Sequence, residues 1–370
     1  MASLPKTIRA AVTQQDRTVK AQDIPFKAAT EGVPEGHILV KVKAAGINPT
    51  DWKHAYVEAL HNPNRVTGCD ASGDVVAVGS GITHFRVGDR VAGVTHGSKS
   101  ESNGSFAEYV LFKSHAAFKL PEGMRYEEGA AWPVPDFTYL QAAVCCQGLP
   151  LPSPSNPKRD ESVFIWGGAT SIGWHAIQLA KLLGLKVLTV ASSKHHATLR
   201  EIGADEVLDY KDADVLDRLK KIVREWGNVK YGFDCISENG TTENCVDILA
   251  ETPGGAHLVT VLPSSPETKE RNANVKVELT LGYTFFGEAF TFAKSFSFDP
   301  KPDHVRVLGD YFQKPEHLPA ILDGWKSGQG SKYFRAQKLV ELEGGVDKID
   351  EAMRMLQDGK TSGEKIVVKF

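Results

Sequence analysis

The stretch Val163-Phe164-Ile165-Trp166-Gly167-Gly168-Ala169-Thr170-Ser171-Ile172-Gly173 constrains this chain more than any other. A run of apolar β-branched and aromatic residues gives way to small ones, and from Trp174 to Leu183 apolar residues recur at helical spacing. That order is a strand, a tight turn and a helix. The first N–H groups of such a helix lack carbonyl partners within it, and the helix dipole adds to their positive potential, so the turn suits a phosphate. A GxGxxG template laid over Gly168 to Gly173 meets Thr170 at its middle glycine. There the hydroxyls of Thr170 and Ser171 are offered to phosphates in place of close backbone approach.

Lys186 to Ala191 reads as a second buried parallel strand. A site for NAD places an acidic residue near the end of this strand, on the ribose hydroxyls. Here the strand runs into Ser192-Ser193-Lys194-His195-His196, which holds no acid. Two hydroxyls and an ammonium suit a 2′-phosphate, so NADPH is the expected cofactor. The competing role for Ser193 is to cap a helix starting at Lys194.

A chain of 370 residues calls for more than one core. Hydrophobic content of 41% and charged content of 24% are ordinary for a globular protein, and a net charge of −3 offers no field for nucleic acid or an anionic membrane. Met1 to Lys6 carries no apolar core of signal-peptide length, and no run reaches the length of a membrane span. Five cysteines, scattered apart from Cys145-Cys146, imply reduced thiols and a cytoplasmic protein.

Strands at Ile38 to Ala45, Ala71 to Gly79 and Phe106 to Phe112 make the first 130 residues β-rich. From Ser162 strand and helix alternate, with strands at 163–167, 186–191, 205–209, 231–236 and 255–261 and helices such as Asp214 to Trp226 and Thr242 to Glu251. The fold class is therefore α/β: a doubly wound parallel sheet of the Rossmann type with a second, β-rich domain. Gly148 to Pro157, dense in proline and serine, reads as a stiff surface loop outside either core. Beyond about residue 300 the rhythm is lost, and Phe334 to Leu342, helix Val346 to Gln357 and strand Lys365 to Phe370 look like a return to the first domain.

Ordered landmarks run through the chain: Gly46-Ile47-Asn48-Pro49-Thr50-Asp51, Gly68-Cys69-Asp70-Ala71-Ser72-Gly73, Val87-Gly88-Asp89-Arg90-Val91, Gly104 to Tyr109 and Ser362 to Val367. With them the sequence resembles the medium-chain dehydrogenase/reductase superfamily over nearly its whole length. The resemblance implies a GroES-like catalytic domain at 1–135 and 300–370 around a Rossmann NADPH-binding domain at 136–299. Zinc-dependent members place a cysteine where this chain has Asn48 and a His-Glu pair where it has Cys69-Asp70, so no metal is expected. Gly148 to Ser155, Phe233 to Ile236 and Leu281 to Glu288 resemble more narrowly the fungal enoyl reductases of the lovastatin type, which act in trans with polyketide synthases.

The resemblance implies that Asn48, Pro49 and Asp51 face the nicotinamide, that Gly168, Ala169, Thr170, Ser171 and Ile172 hold the pyrophosphate, and that Ser192, Ser193 and Lys194 hold the adenosine end, where Tyr210 is either packed on the adenine or an exposed loop aromatic. It adds Leu262 and Lys365 to the cofactor contacts, and Thr138 both there and at the catalytic centre. Lys53 is either an enolate stabiliser or proton source, or a solvated helix lysine. Tyr139 is either a proton donor or a core tyrosine. Phe285 and Phe286 read as core or dimer interface, with Phe290 to Phe298 open between that and a substrate wall. The implied reaction is NADPH-dependent reduction of a conjugated carbon–carbon double bond, free or on a carrier, by a monomer or homodimer. The alternatives are a quinone reductase and a cofactor-binding partner protein without turnover.

Overall fold

The computed structural model describes residues 4–370. Residues 1–3, the start of the stretch read above for a signal segment, lie outside the described residues. The expected strand, turn and helix form the middle of a six-stranded parallel sheet. Its order is Glu206–Leu208, Lys186–Val190, Ser162–Trp166, Tyr231–Asp234, Ala256–Thr260, Val275–Leu279. The chain thus builds outward to one side of Ser162–Trp166 and then to the other. Ligands bind such a sheet at the carboxyl ends where that direction reverses.

All of Ser162–Trp166 is buried, as a strand covered on both faces must be. Helix Val215–Trp226 covers one face with Val215, Leu219 and Val223, one apolar residue per turn. The sixth strand, Val275–Leu279, was not expected. Its Val-Lys-Val-Glu-Leu alternation is that of a sheet edge, half buried and outside the α/β rhythm used to find the others. The stretch between the domains is also more ordered than its sequence suggests: helix Pro133–Leu140 runs into a π-helical turn at Gln141–Cys146.

The second sheet has the order Leu339–Glu343, Lys365–Lys369, His37–Gly46, Asp70–Val78, Arg90–Val94, Ala117–Lys119, and Tyr109–Lys113 pairs with His37–Gly46. The tail does return here, between the edge strand and His37–Gly46. Phe106 and Ala107 leave the expected third strand to bond with the N-terminal hairpin, Ala11 N donating to Phe106 O at 2.8 Å. The Pro/Ser segment corrects its expectation too. Leu149, Pro152 and Ser153 are buried, and the His317 ring lies 3.0 Å from Pro152 O, so proline rigidity serves packing here. Among the described residues no helix is long and apolar enough to cross a membrane, and all five cysteines are free.

Phe233 lies in the central strand Tyr231–Asp234 with no solvent exposure, its ring 5.2 Å from that of Tyr139. Phe233→Ala should lower the unfolding free energy by about 3–5 kcal/mol, measured by urea denaturation. A loss below about 1 kcal/mol would mean that this strand is not where the packing is tightest.

Candidate active site

The phosphate turn begins at Gly167, whose φ of 91° is a left-handed conformation that favours glycine. Thr170 closes it: its hydroxyl donates to Gly167 O at 2.8 Å and accepts from Gly173 N at 2.9 Å, capping helix Ser171–Leu182. The hydroxyl expected on a phosphate is therefore committed to the turn itself. Gly173 is required by close approach, since a Cβ there would fall 2.3 Å from Gly167 O. Gly168, Ala169, Ser171 and Ile172 line the turn and the start of helix Ser171–Leu182.

At the adenosine end, Ser192 Oγ donates to the Tyr210 hydroxyl at 3.3 Å, and Tyr210 is 46% exposed beside it. Ser193 and Lys194 are exposed in the 3-10 turn Ser193–His195, and helix His196–Glu201 starts after it. Ser193 makes no side-chain cap. Nor is the corner free of acid: Asp209, at the end of the neighbouring strand, accepts Ser193 N at 2.8 Å and Lys211 N at 3.0 Å. Scanning forward from the second strand could not find a residue that the third strand delivers. The His195 ring meets Ser362 Oγ at 2.9 Å, linking the two domains. A cleft of about 570 Å³ opens beside this link, bounded by Ala169, His195, Arg335, Lys338 and Gly363.

At the other end, helix Pro49–Tyr56 starts on Asn48, whose N–H donates to Asp51 Oδ2 at 2.7 Å, with Pro49 pre-set in the first turn. Asp51 Oδ1 accepts from Cys69 N at 3.1 Å. Asn48 Nδ2 donates to Asp70 Oδ2 at 2.8 Å, and Val134 N to Asp70 Oδ1 at 2.9 Å. Lys365 completes the group. Its ammonium donates to Asn48 Oδ1 and stands 3.7 Å from Asp70 Oδ2, with only 3% of the side chain exposed. The lysine expected on the cofactor is thus turned inward. A buried ammonium satisfies a buried carboxylate before it can reach a ligand.

Lys53 is held across the domain boundary by Glu238, at 2.9 Å. Thr50 Oγ1 meets the Tyr283 hydroxyl at 2.6 Å, also across the boundary, and the His96 ring stacks on Tyr283 at 3.9 Å. Thr138 is half buried and donates to Val134 O at 2.6 Å. Tyr139, one residue on, points the other way into the core without exposure, and its hydroxyl has no partner among the described residues. Of its two roles the structure keeps the core tyrosine. Leu262 is half buried just beyond strand Ala256–Thr260, its carbonyl accepting from Thr260 Oγ1 at 2.9 Å. Phe285, Phe286 and Phe290 are buried, whereas Phe296, on the second strand of a small hairpin, is 55% exposed. Glu238, Tyr283 and Asp209 escaped the sequence reading because each reaches the site from a distant segment. Tyr283 and Asp209 lay in stretches already singled out, Leu281 to Glu288 and the strand at 205–209, without being named there.

Two domains enclosing a phosphate turn and a cleft define an oxidoreductase of the GroES-like and Rossmann architecture. Residues 34–122 match the family described as alcohol dehydrogenase GroES-like domain, and residues 171–298 match the zinc-binding dehydrogenase family. The chain is 33% identical to the uncharacterized protein YNL134C of Saccharomyces cerevisiae, over 99% of this chain and 98% of that one. It is 31% identical to the trans-enoyl reductase ACTTS2 of Alternaria alternata, over 98% and 99%. The solved structure of CurK enoyl reductase shares the fold, with a TM-score of 0.71 at 18% identity and coverage of 99% of both chains. The chain belongs to the medium-chain dehydrogenase/reductase family.

The zinc in that second family description does not fit these residues. Asn48 and Asp70 are bonded to each other and to an ammonium, and no group of three or more His, Cys, Asp or Glu among the described residues could hold a metal ion. No step is assigned to a metal.

Burial pushes the Asp51 carboxyl up to about 6, against the N–H groups and the lysine that favour its charge. An acid raised in the folded state contributes stability that is complete below its unfolded value of 3.8 and is lost as the pH rises through about 6. The stability of the native chain over Asp51→Asn should therefore shrink by about 3 kcal/mol between about pH 4 and 7 in urea titrations. A gap independent of pH would mean that Asp51 is ionised throughout. Gly173→Ala should shift the turn and raise the Kd for a nicotinamide dinucleotide at least about tenfold in a fluorescence titration, by misplacing N–H groups at the helix start.

Proposed function

We propose that this protein is a zinc-independent, NADPH-dependent reductase of conjugated carbon–carbon double bonds in enones or enoyl thioesters. The observation that carries this reading is the closed bonding of Asn48, Asp70 and Lys365 where a metal-dependent relative needs ligands. NADPH, when bound, supplies the hydride that reaches the β-carbon. The protein must then stabilise charge developing on the conjugated carbonyl oxygen, which calls for a fixed donor rather than a strong base.

Lys53 fills that role by exchanging Glu238 for the developing oxyanion, and the Asn48–Asp51 turn frames the nicotinamide end. Tyr283, stacked on His96 and bonded to Thr50, closes the site to water on the side of the Rossmann domain. Ser193 and Lys194 take the 2′-phosphate, Gly168 to Ile172 the pyrophosphate, and Tyr210 the adenine. Thr138 and Leu262 support the nicotinamide end.

The domain division proposed is 1–135 with 300–370 for catalysis and 136–299 for the dinucleotide, in keeping with the strands each sheet contains. Similarity to a trans-enoyl reductase supports a substrate carried on a polyketide synthase. Five free cysteines suit the cytoplasm.

The test is NADPH consumption against enones, enoyl thioesters and quinones. Turnover of enones or enoyl thioesters is expected, and failure of all of them with NADPH demonstrably bound would overturn the assignment. A preference for quinones would replace it with a quinone reductase. Lys53→Met should cut kcat/KM by about 10²–10³ while leaving the Kd for NADPH unchanged. Lys194→Ala should weaken NADPH about tenfold and leave NADH unaffected, as for loss of one charge-assisted bond.

A further inference from the structure

Reduction of a conjugated double bond sets two tasks at different atoms. Charge must be held on the carbonyl oxygen, and the α-carbon must receive a proton. Lys53 is committed to the first, and Tyr139, the tyrosine expected for the second, is turned into the core. A different tyrosine stands at the domain boundary. Tyr283 belongs to the 3-10 turn Gly282–Phe286, beyond the last Rossmann strand. Its hydroxyl crosses to Thr50 Oγ1 at 2.6 Å, in the first turn of helix Pro49–Tyr56. Ligand sites form preferentially at such boundaries. Aromatic neighbours fix the ring: His96 stacks on it at 3.9 Å with the planes 7° apart, and His54 and Phe290 meet it edge-on at 5.7 and 5.9 Å. Packing on three sides sets where the hydroxyl stands.

Behind Tyr283 the polar atoms continue in one line. Thr50 Oγ1 is 3.1 Å from His54 Nδ1, and the same nitrogen is 2.8 Å from Thr50 O. A carbonyl oxygen can only accept, so Nδ1 carries a hydrogen. Shared with Thr50 Oγ1, that hydrogen leaves the Thr50 hydroxyl to donate to Tyr283, and Tyr283 to donate onward. Burial raises the Tyr283 hydroxyl well above its ordinary value and lowers the His54 ring below its own, so a phenol and a neutral imidazole are the resting forms.

We infer that Tyr283 donates the proton that the α-carbon receives, and that Thr50 and His54 restore it. The inference rests on the reading of the protein as an enone or enoyl reductase. Once hydride has reached the β-carbon, the electron pair of the former double bond lies over the α-carbon and the carbonyl oxygen. The α-carbon uses that pair to take the Tyr283 proton, and the phenolic O–H bond breaks. The phenolate then takes the Thr50 hydroxyl proton, Thr50 takes the Nδ1 proton of His54, and the ring regains one from water at Nε2. One proton from water is consumed, with no oxidant or reductant beyond the hydride. A fixed donor also confines protonation to one face of the substrate.

Reduction in deuterium oxide with NADPH places one deuterium at the α-carbon, and nuclear magnetic resonance of the product reads its configuration. Native protein should give a single configuration. Tyr283→Phe keeps the packed ring and removes only the hydroxyl. It should bind NADPH with unchanged Kd by fluorescence titration, lose kcat by about 10²-fold and give both α configurations, because water then protonates from either face. Thr50→Val should keep the single configuration and lose kcat about tenfold, since delivery persists while resupply slows. Thr50→Ser, which retains a hydroxyl, should recover most of that loss. A native kcat or a single α configuration in Tyr283→Phe would overturn the inference, the second because a merely structural tyrosine changes rate without changing the face. If Tyr283→Phe does not fold, Thr50→Val decides by the same two readings: a native kcat or both configurations there sinks the proposal. Failure of native protein to reduce any enone or enoyl thioester overturns the parent assignment instead, so the two failures are distinguishable.

Discussion

The catalytic end of the cleft depends on one carboxylate kept out of water. Asp70 begins strand Asp70–Val78 and collects three segments that share no local sequence: the amide of Asn48, the N–H of Val134 and the ammonium of Lys365. The first starts helix Pro49–Tyr56. The second starts the helix that crosses between the domains, and the third belongs to the returning strand. Removing one partner from such a buried group typically costs about 3–5 kcal/mol, so each of the three is held with the energy of the others. The ion pair of Asp70 with Lys365 is therefore what ties these three segments together.

Around that anchor the domains meet through contacts that divide the cleft into two ends. Lys53 pairs with Glu238, Thr50 with Tyr283, and His195, beside the cleft, with Ser362. Each of these joins a residue of one sheet's domain to a residue of the other's. Thr50 with Tyr283 is partly buried, whereas Lys53 with Glu238 and His195 with Ser362 are both exposed.

What could be read in advance follows from how far each signal reaches along the chain. The turn at Gly167 to Gly173 was legible because strand, glycine and helix start are all local, and five of the six parallel strands followed from the same rhythm. The alternating edge strand Val275–Leu279 broke that rhythm and was missed. Thr170 was recognised as exceptional but given the wrong partner, since nothing in a sequence says whether a hydroxyl faces its own backbone or a ligand. Lys365 was linked to the site only by resemblance, and its inward turn depends on Asp70, nearly three hundred residues earlier. Asp209 shows the same limit from the other side: the corner looked free of acid only because the acid arrives from another strand.

The position of strand Lys365–Lys369 also bears on how the chain acquires its structure. It lies inside its sheet, between Leu339–Glu343 and His37–Gly46, and carries the ammonium that Asp70 requires. The Rossmann strands occupy one unbroken stretch, from Ser162 to Leu279, and depend on no pairing outside it. During synthesis that insert can therefore collapse while the surrounding sheet still waits for its inner strand. The strands of the parallel sheet are all made by Leu279, whereas the surrounding sheet cannot close until Lys365–Lys369 is made.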